Sequence, residues 1–373
     1  MKPLKGIKAV DLSRLLPGPY ASALLSDYGA EVICVESEKF RNNPPHIHPL
    51  YRNKKHICLD LKNNRAKEVF YRLVKDSDIL IEGFRPGVAK KLGIDYDYLK
   101  TINKKIIYCS ITGFGQNSKF SERPGHDVNY LSLSGILDQT GEKKSRPLIP
   151  GIQIADIGGA LFAVNSILAA LFSREGTKKG AYIDISLAES AFCFGAFSMW
   201  LNEFSGIEQK RGDSILSHRY PCYDVYETKD KKHVSLGCLE RHFWVNFLRE
   251  LNLEKYIDFQ FDDGKKEEIR DEISKIFLSQ TRDYWEAFFE NKDVCFSAVK
   301  TTEEAKKSDL FKDRFSSCEA EGRIFTIASP VKNQINKIPG FGENTEEILE
   351  KLGYHASEIK ELLRLGITGE KYL

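Results

Sequence analysis

Short apolar bursts alternate with amphipathic stretches through the first half of the chain, and that rhythm predicts its elements. Residues 7–12, 31–36, 56–61, 78–82 and 106–112 are brief, mostly apolar and bounded by polar turns, so each is expected as a strand. Between them, residues 20–28, 65–75 and 88–102 are expected as helices, the first stopped by Gly29. Such alternation predicts a mostly parallel sheet with helices on both faces, and ligands collect at the carboxyl ends of its strands. Further on, residues 160–172 read as a buried helix, 180–187 as a strand and 189–204 as a long apolar helix.

The pattern breaks at residues 206–221, which hold Arg211-Gly212-Asp213-Ser214 and Ser217-His218-Arg219-Tyr220-Pro221 and are expected as a linker. Residues 223–228 and 233–237, joined by Lys229-Asp230-Lys231-Lys232, predict a hairpin. Phe243, Phe247, Leu248 and Leu251 then share one helical face, and charged helices fill residues 265–290. The fold class is therefore α/β: a large domain over 1–205, completed by 330–373, and a smaller α+β domain over 222–315. Residues 316–329 are expected as a return linker, and helices over 345–352 and 356–365 rejoin the large domain.

At 373 residues the chain is long enough for two domains and a sizeable core. Its 55 Lys and Arg nearly balance 53 Asp and Glu, so no nucleic-acid or membrane partner is expected, and any anionic ligand must meet a local basic cluster. No unbroken apolar run reaches the roughly 18 to 20 residues that span a bilayer. The opening Met1-Lys2-Pro3-Leu4-Lys5-Gly6 has no signal-peptide core. Eight scattered Cys without a C-x-x-C pair read as reduced core thiols of a cytoplasmic protein. The turn after the first expected strand, residues 13–19, lacks G-x-G-x-x-G, and its prolines withhold backbone donors from a pyrophosphate, which argues against NAD or FAD.

Proton chemistry is concentrated between Gly125 and Gly159. His126, in Gly125-His126-Asp127-Val128-Asn129-Tyr130, follows a polar loop that a packed core does not require. Asp156, in Ile154-Ala155-Asp156-Ile157-Gly158-Gly159, stands at or just before a helix N-terminus. An imidazole and a carboxylate can both hold or release a proton near neutral pH. On opposite sides of one carbon they can exchange its proton between faces. The same two residues also suit a plain helix N-cap and a locally bonded loop histidine.

Residues 10–13, 18–19, 24–33, Leu59-Asp60-Leu61-Lys62, Ile81-Glu82-Gly83-Phe84-Arg85-Pro86-Gly87, Gly113-Phe114-Gly115-Gln116, the His126 and Asp156 segments and residues 341–349 follow one another in a familiar order. Together they resemble the class III CoA-transferase (CaiB/BaiF-type) superfamily, which includes α-methylacyl-CoA racemases. The likeness covers nearly the whole chain. It implies a large Rossmann-like domain and a small domain joined by long linkers, in an interlocked homodimer with active sites between the large domain of one subunit and the small domain of the other. It also implies an acyl-CoA thioester substrate, CoA being part of that substrate, with no separate cofactor and no metal.

By the same resemblance, CoA contacts carry over to Arg52, Lys55, Lys62, Arg85, Lys91 and Tyr130. Arg85 directly follows a strand and can grip phosphate bidentately. Where relatives usually have a basic residue beside proline, this chain has Ser37-Glu38, which removes that contact from the loop. In the transferases of the family an aspartate matching Asp156 attacks the thioester. In the racemases it carries a proton, partnered by a histidine matching His126. This chain has the histidine and lacks the glycine-rich loop of formyl-CoA-type transferases. Its Gly237-Cys238-Leu239-Glu240 resembles the racemases' Gly-x-x-Glu segment, with Glu240 on the catalytic glutamate. The backbone N–H groups of Asp156, Ile157 and Gly158 are expected to stabilise an enolate. The expected activity is interconversion of 2-methylacyl-CoA epimers. The alternatives are a CoA-transferase with an acyl intermediate on Asp156 and a CoA-binding protein without turnover.

Overall fold

The computed structural model describes residues 2–41, 45–206, 208–320, 323–328 and 338–369. Residue 207 of the first expected linker, residues 321, 322 and 329 of the second, and 330–337 and 370–373 of the expected C-terminal completion lie outside the described residues.

Strand β1 (Lys8–Asp11) leads into α1 (Pro17–Asp27), which begins earlier than expected because Pro17 supplies a preset φ for a first helical position. β2 (Glu31–Glu36), β3 (Lys55–Cys58), α2 (Asn64–Lys75) and β4 (Ile79–Glu82) follow the periodicity. The helix expected over 88–102 is two, α3 (Val88–Leu92) and α4 (Tyr96–Ile102). Gly93, at φ 71°, ends the first in the left-handed region, and the Asp95 side chain accepts from the Tyr98 amide to cap the second. After β5 (Ile107–Thr112) comes an unforeseen short helix, α5 (Asp127–Leu133), then α6 (Ile154–Thr177) and β6 (Ala181–Ser186). The long helix expected over 189–204 is divided at Gly195 into α7 (Leu187–Phe194) and α8 (Ala196–Ser205).

The later elements are β7 (Tyr223–Glu227), β8 (His233–Gly237), α9 (Arg241–Glu250), α10 (Lys266–Phe277), α11 (Arg282–Phe289), β9 (Phe296–Ala298) and α12 (Thr302–Lys307). The stretch expected as a return linker carries an antiparallel hairpin, β10 (Phe315–Ala320) with β11 (Arg323–Ala328). Helices α13 (Thr345–Lys351) and α14 (Ala356–Arg364) follow.

Six strands form one parallel sheet in the order β3-β2-β1-β4-β5-β6, the doubly wound arrangement. Every residue of β4 and β5 is buried, which explains their unbroken apolar runs. On one face, Val69, Phe70 and Leu73 of α2 share a core with Leu80, Tyr108, Leu349 of α13 and Ile359 of α14. α6 packs on α1 and β5, burying Ala155, Gly159, Ala163, Ile167 and Leu171 at four-residue intervals. By length and composition α6 is apolar enough to cross a membrane, contrary to the expectation from unbroken runs. Its packing on the sheet is that of a core helix.

The chain divides into two compact units. The described residues of 1–134, 151–194 and 313–373 form the first, and those of 135–150 and 195–312 the second. The segment 135–150 joins the second unit because Arg211 donates to the Asp138 carbonyl at 3.0 Å and side chain at 2.7 Å, and to the Ser145 carbonyl at 2.7 Å. In the second unit β8 lies between β7 and β9, and Trp244, Phe247, Ile273 and Phe277 cover the sheet from one side. Cys34, Cys58, Cys109, Cys222 and Cys238 are buried free thiols, whereas Cys193 on α7 is exposed.

Candidate active site

In a parallel sheet the connecting helices run back against the strands, so the N-terminus of α6 lies at the carboxyl edge. Arg174 in the last turn of α6 confirms the direction: it bonds the Lys105 carbonyl at 3.1 Å and Asp78 at 2.8 Å, both just ahead of strands. Asp156 is the third residue of α6 and therefore sits at the edge where ligands of such sheets are held.

His126 is the residue preceding α5, exposed and in extended backbone at φ −127°. Its amide donates to the Asn129 side chain at 3.0 Å, which starts the helix. Asp127, the first residue of α5, is buried. Its Oδ1 accepts the amide hydrogens of both Ala155, at 2.7 Å, and Asp156, at 3.1 Å. One carboxylate thus caps α6 while its own backbone opens α5, and this brings His126 and Asp156 together. Sequence reasoning did not assign Asp127 a role. The signal was a carboxylate placed immediately after the candidate base.

Burial pushes the Asp156 carboxyl up to about 6, the nearby charge of Asp127 adds to the rise, and His126 opposes it. Close packing fixes the turn that carries it. A Cβ on Gly158 would lie 2.4 Å from the Phe194 ring, and one on Gly159 2.3 Å from Leu187, so α7 approaches α6 only over bare backbone. The expected role of the 156–158 amides as enolate donors does not hold. The Asp156 amide is taken by Asp127 and the Ile157 amide by the Gln153 carbonyl at 3.0 Å. Gly158 lies a full turn into the helix, where its amide faces the carbonyl four residues back.

The residues expected at CoA separate by place. Arg85 is exposed just past β4, with no ion pair or hydrogen bond to its guanidinium among the described residues. Its turn is set by Glu82, a buried carboxyl that accepts the Phe84 amide at 2.7 Å and that burial pushes up to about 7. Lys62, past β3, and Lys91, on α3, are also exposed and unpaired among the described residues. Arg52 is a correction: only 3% exposed, it grips Asp27 through two bonds of 3.1 and 2.7 Å and the Pro49 carbonyl through a third. Lys55 is another, since it opens β3 at the amino edge and bridges Glu31 and Glu347 at 3.0 Å each. Tyr130 is the third. Its hydroxyl donates to the Gly125 carbonyl at 2.6 Å and its buried ring fills the space beside Gly113 and Gly125.

Glu240 belongs to the second unit, where it is exposed and precedes α9 in extended backbone. Its carboxylate makes no capping bond to that helix. Among the described residues, no group of three or more His, Cys, Asp or Glu is placed to hold a metal ion.

Comparison with known proteins places this geometry in context. The model of CoA-transferase family III matches residues 4–337. The α-methylacyl-CoA racemase of Homo sapiens is 34% identical over 368 residues, which are 96% of each chain. The succinyl-CoA:glutarate CoA-transferase of Mus musculus is 29% identical, over 98% of this chain and 90% of that one. Among solved structures, a CAIB/BAIF family protein from Brucella suis superposes with a TM-score of 0.80 at 27% identity, covering 94% of this chain and 99% of the other.

Proposed function

This chain belongs to CoA-transferase family III, and from that premise we propose that it is an α-methylacyl-CoA racemase interconverting 2-methylacyl-CoA epimers. The observation that carries the reading is the pair of hydrogen bonds that Asp127, the neighbour of His126, accepts from the first turn of α6, which supports a joint site for His126 and an Asp156 carboxyl pushed up to about 6. A group poised there is a competent acid and a competent base at neutral pH. His126 takes the α-hydrogen of the thioester, leaving the electron pair as an enolate. Asp156, protonated, returns a hydrogen to the opposite face. Reversal of the two roles serves the other epimer. Glu240 is assigned to the catalytic glutamate of the racemases, and Arg85, Lys62 and Lys91 to the CoA phosphates.

Turnover of a 2-methylacyl-CoA ester in deuterated water tests the reading. Deuterium must enter the α-position of both epimers without any added acid. The similarity to a succinyl-CoA:glutarate CoA-transferase favours a second reading, in which Asp156 attacks the thioester and passes CoA between acids. Turnover that requires an acceptor acid and leaves the α-hydrogen in place would select it.

The active form we propose is an interlocked homodimer in the cytoplasm, without nucleic-acid or membrane partners. Phe172 at 85% exposure, Phe204 at 77% and Ile152 at 63% are large apolar side chains left in water by a single chain, which supports association.

A further inference from the structure

The second unit contains a cavity of about 480 Å³ that none of the proton chemistry above uses. Alternate residues of its sheet, Tyr223, Val225, Ser235 and Ser297, form one wall, and residues 216–218 form another. Cys295 also lines it. Burial raises that thiol's pKa, and the charge of Glu240 adds to the rise.

His218 is the unusual feature of this wall. Its backbone lies at φ 59°, a left-handed conformation that non-glycine residues adopt at a cost, and such outliers concentrate at functional sites. Its Nδ1 faces the Asp224 Oδ1 at 2.5 Å. The other Asp224 oxygen accepts from Arg270 Nε at 2.8 Å, and Arg270 Nη2 donates to the His218 carbonyl at 2.6 Å. The Val225 amide also donates to Asp224 Oδ1, at 2.8 Å. The carboxylate in the wall is thus fully engaged and 8% exposed, while His218 Nε2 has no partner among the described residues. The hydrogen bond to Asp224 raises the imidazole's pKa, with burial and then Arg270 opposing and Glu142 adding a smaller push upward. Pairing with Asp224 favours the protonated imidazole, in which Nε2 is an N–H donor, in a wall that Ser217 and Ser297 also line.

We propose that this cavity binds a carboxylate through His218, supplied either by the far end of a dicarboxylic acyl chain or by a free acid. The acyl-chain source rests on the racemase reading, whereas the free-acid source does not. The full-length protein is titrated by calorimetry with glutarate and with two 2-methylacyl-CoA esters of equal length, one ended by a methyl group and one by a carboxylate. His218→Gly suits the left-handed backbone and keeps the fold, and His218→Asn is the second variant. We expect tighter binding of the carboxylate-ended ester than of its partner, a preference that both variants reduce about tenfold to a hundredfold, the scale of a charged hydrogen bond. Loss of that preference alone assigns the acyl end as source, and loss of glutarate binding without an ester preference assigns the free acid. If neither glutarate affinity nor ester preference depends on His218, the proposal is overturned. Because these are binding constants, absence of α-exchange would sink the racemase reading and leave this test standing.

Discussion

The Oδ1 atom of Asp127 lies 3.1 Å from the amide nitrogen of Asp156, and the same atom holds the preceding amide at 2.7 Å. The spacing of His126 and Asp156 is therefore controlled by a third residue that need not touch substrate. Asp127→Ala is expected to lose a helix cap, roughly 1 to 2 kcal/mol, and to slow turnover about a hundredfold through misplacement of the reacting groups. Asp127→Asn keeps an acceptor and loses the charge, so it should fold nearly as well while lowering the pKa of Asp156. Urea midpoints and turnover of both variants check this. Wild-type rate and stability in Asp127→Ala would show that the bond does not position the site.

Asp156 also predicts a pH dependence of stability. Its folded pKa of about 6 lies above the ordinary 3.8, chiefly through burial. Between those values the folded protein holds a proton that the unfolded chain has released, so stability falls as pH rises through the window and stays lower above it. Asp156→Asn carries no such penalty. It should exceed wild type by about 1 to 3 kcal/mol at pH 7.5 and match it near pH 3.5. Thermal midpoints of the two proteins at both pH values are the measurement, and a difference independent of pH would contradict it.

Two arginines that look alike in sequence should fail differently. Arg85→Ala removes an exposed, unpaired guanidinium, so the melting temperature should hold while affinity for CoA drops by roughly 1.5 to 3 kcal/mol. Arg52→Ala removes the guanidinium that holds the buried Asp27 carboxylate through two bonds, and that should cost about 3 to 5 kcal/mol of stability. Calorimetric titration with CoA and thermal melts of both variants separate the two roles. An unchanged CoA affinity in Arg85→Ala would make it a surface residue only.

The parallel sheet was legible because buried strands such as β4 and β5 carry continuous apolar runs bounded by helices of a different period. Breaks within helices were less so. Gly93 and Gly195 each end a helix, yet a single glycine within an apolar stretch is also tolerated. α5 went unseen because its capping comes from a side chain, Asn129, that looks like loop polarity. His126 and Asp156 could be singled out by chemistry, but Asp127 could not, since its function is a contact across 28 residues. For the same reason Arg52 and Lys55 read as free cations: their partners, Asp27, Glu31 and Glu347, are assigned by tertiary packing.

His126 and Asp156 decide the mechanism through complementary variants. In a racemase each serves one face of the α-carbon. His126→Ala should lose roughly 10²- to 10⁴-fold in deprotonation of one epimer, yet still exchange the α-hydrogen of the other with solvent, since Asp156 can remove it and be reprotonated. Asp156→Ala should show the mirror pattern. A transferase predicts no such symmetry. Asp156→Ala would then abolish turnover of every substrate by removing the nucleophile, His126→Ala would be a mild defect, and hydroxylamine would displace the acid or CoA from the activated Asp156 of the wild type and leave it as a hydroxamate. The measurement is α-hydrogen exchange of each epimer by each variant, with mass spectrometry of the hydroxylamine-treated protein alongside. A trapped adduct together with a mild His126→Ala defect would replace the racemase by the transferase.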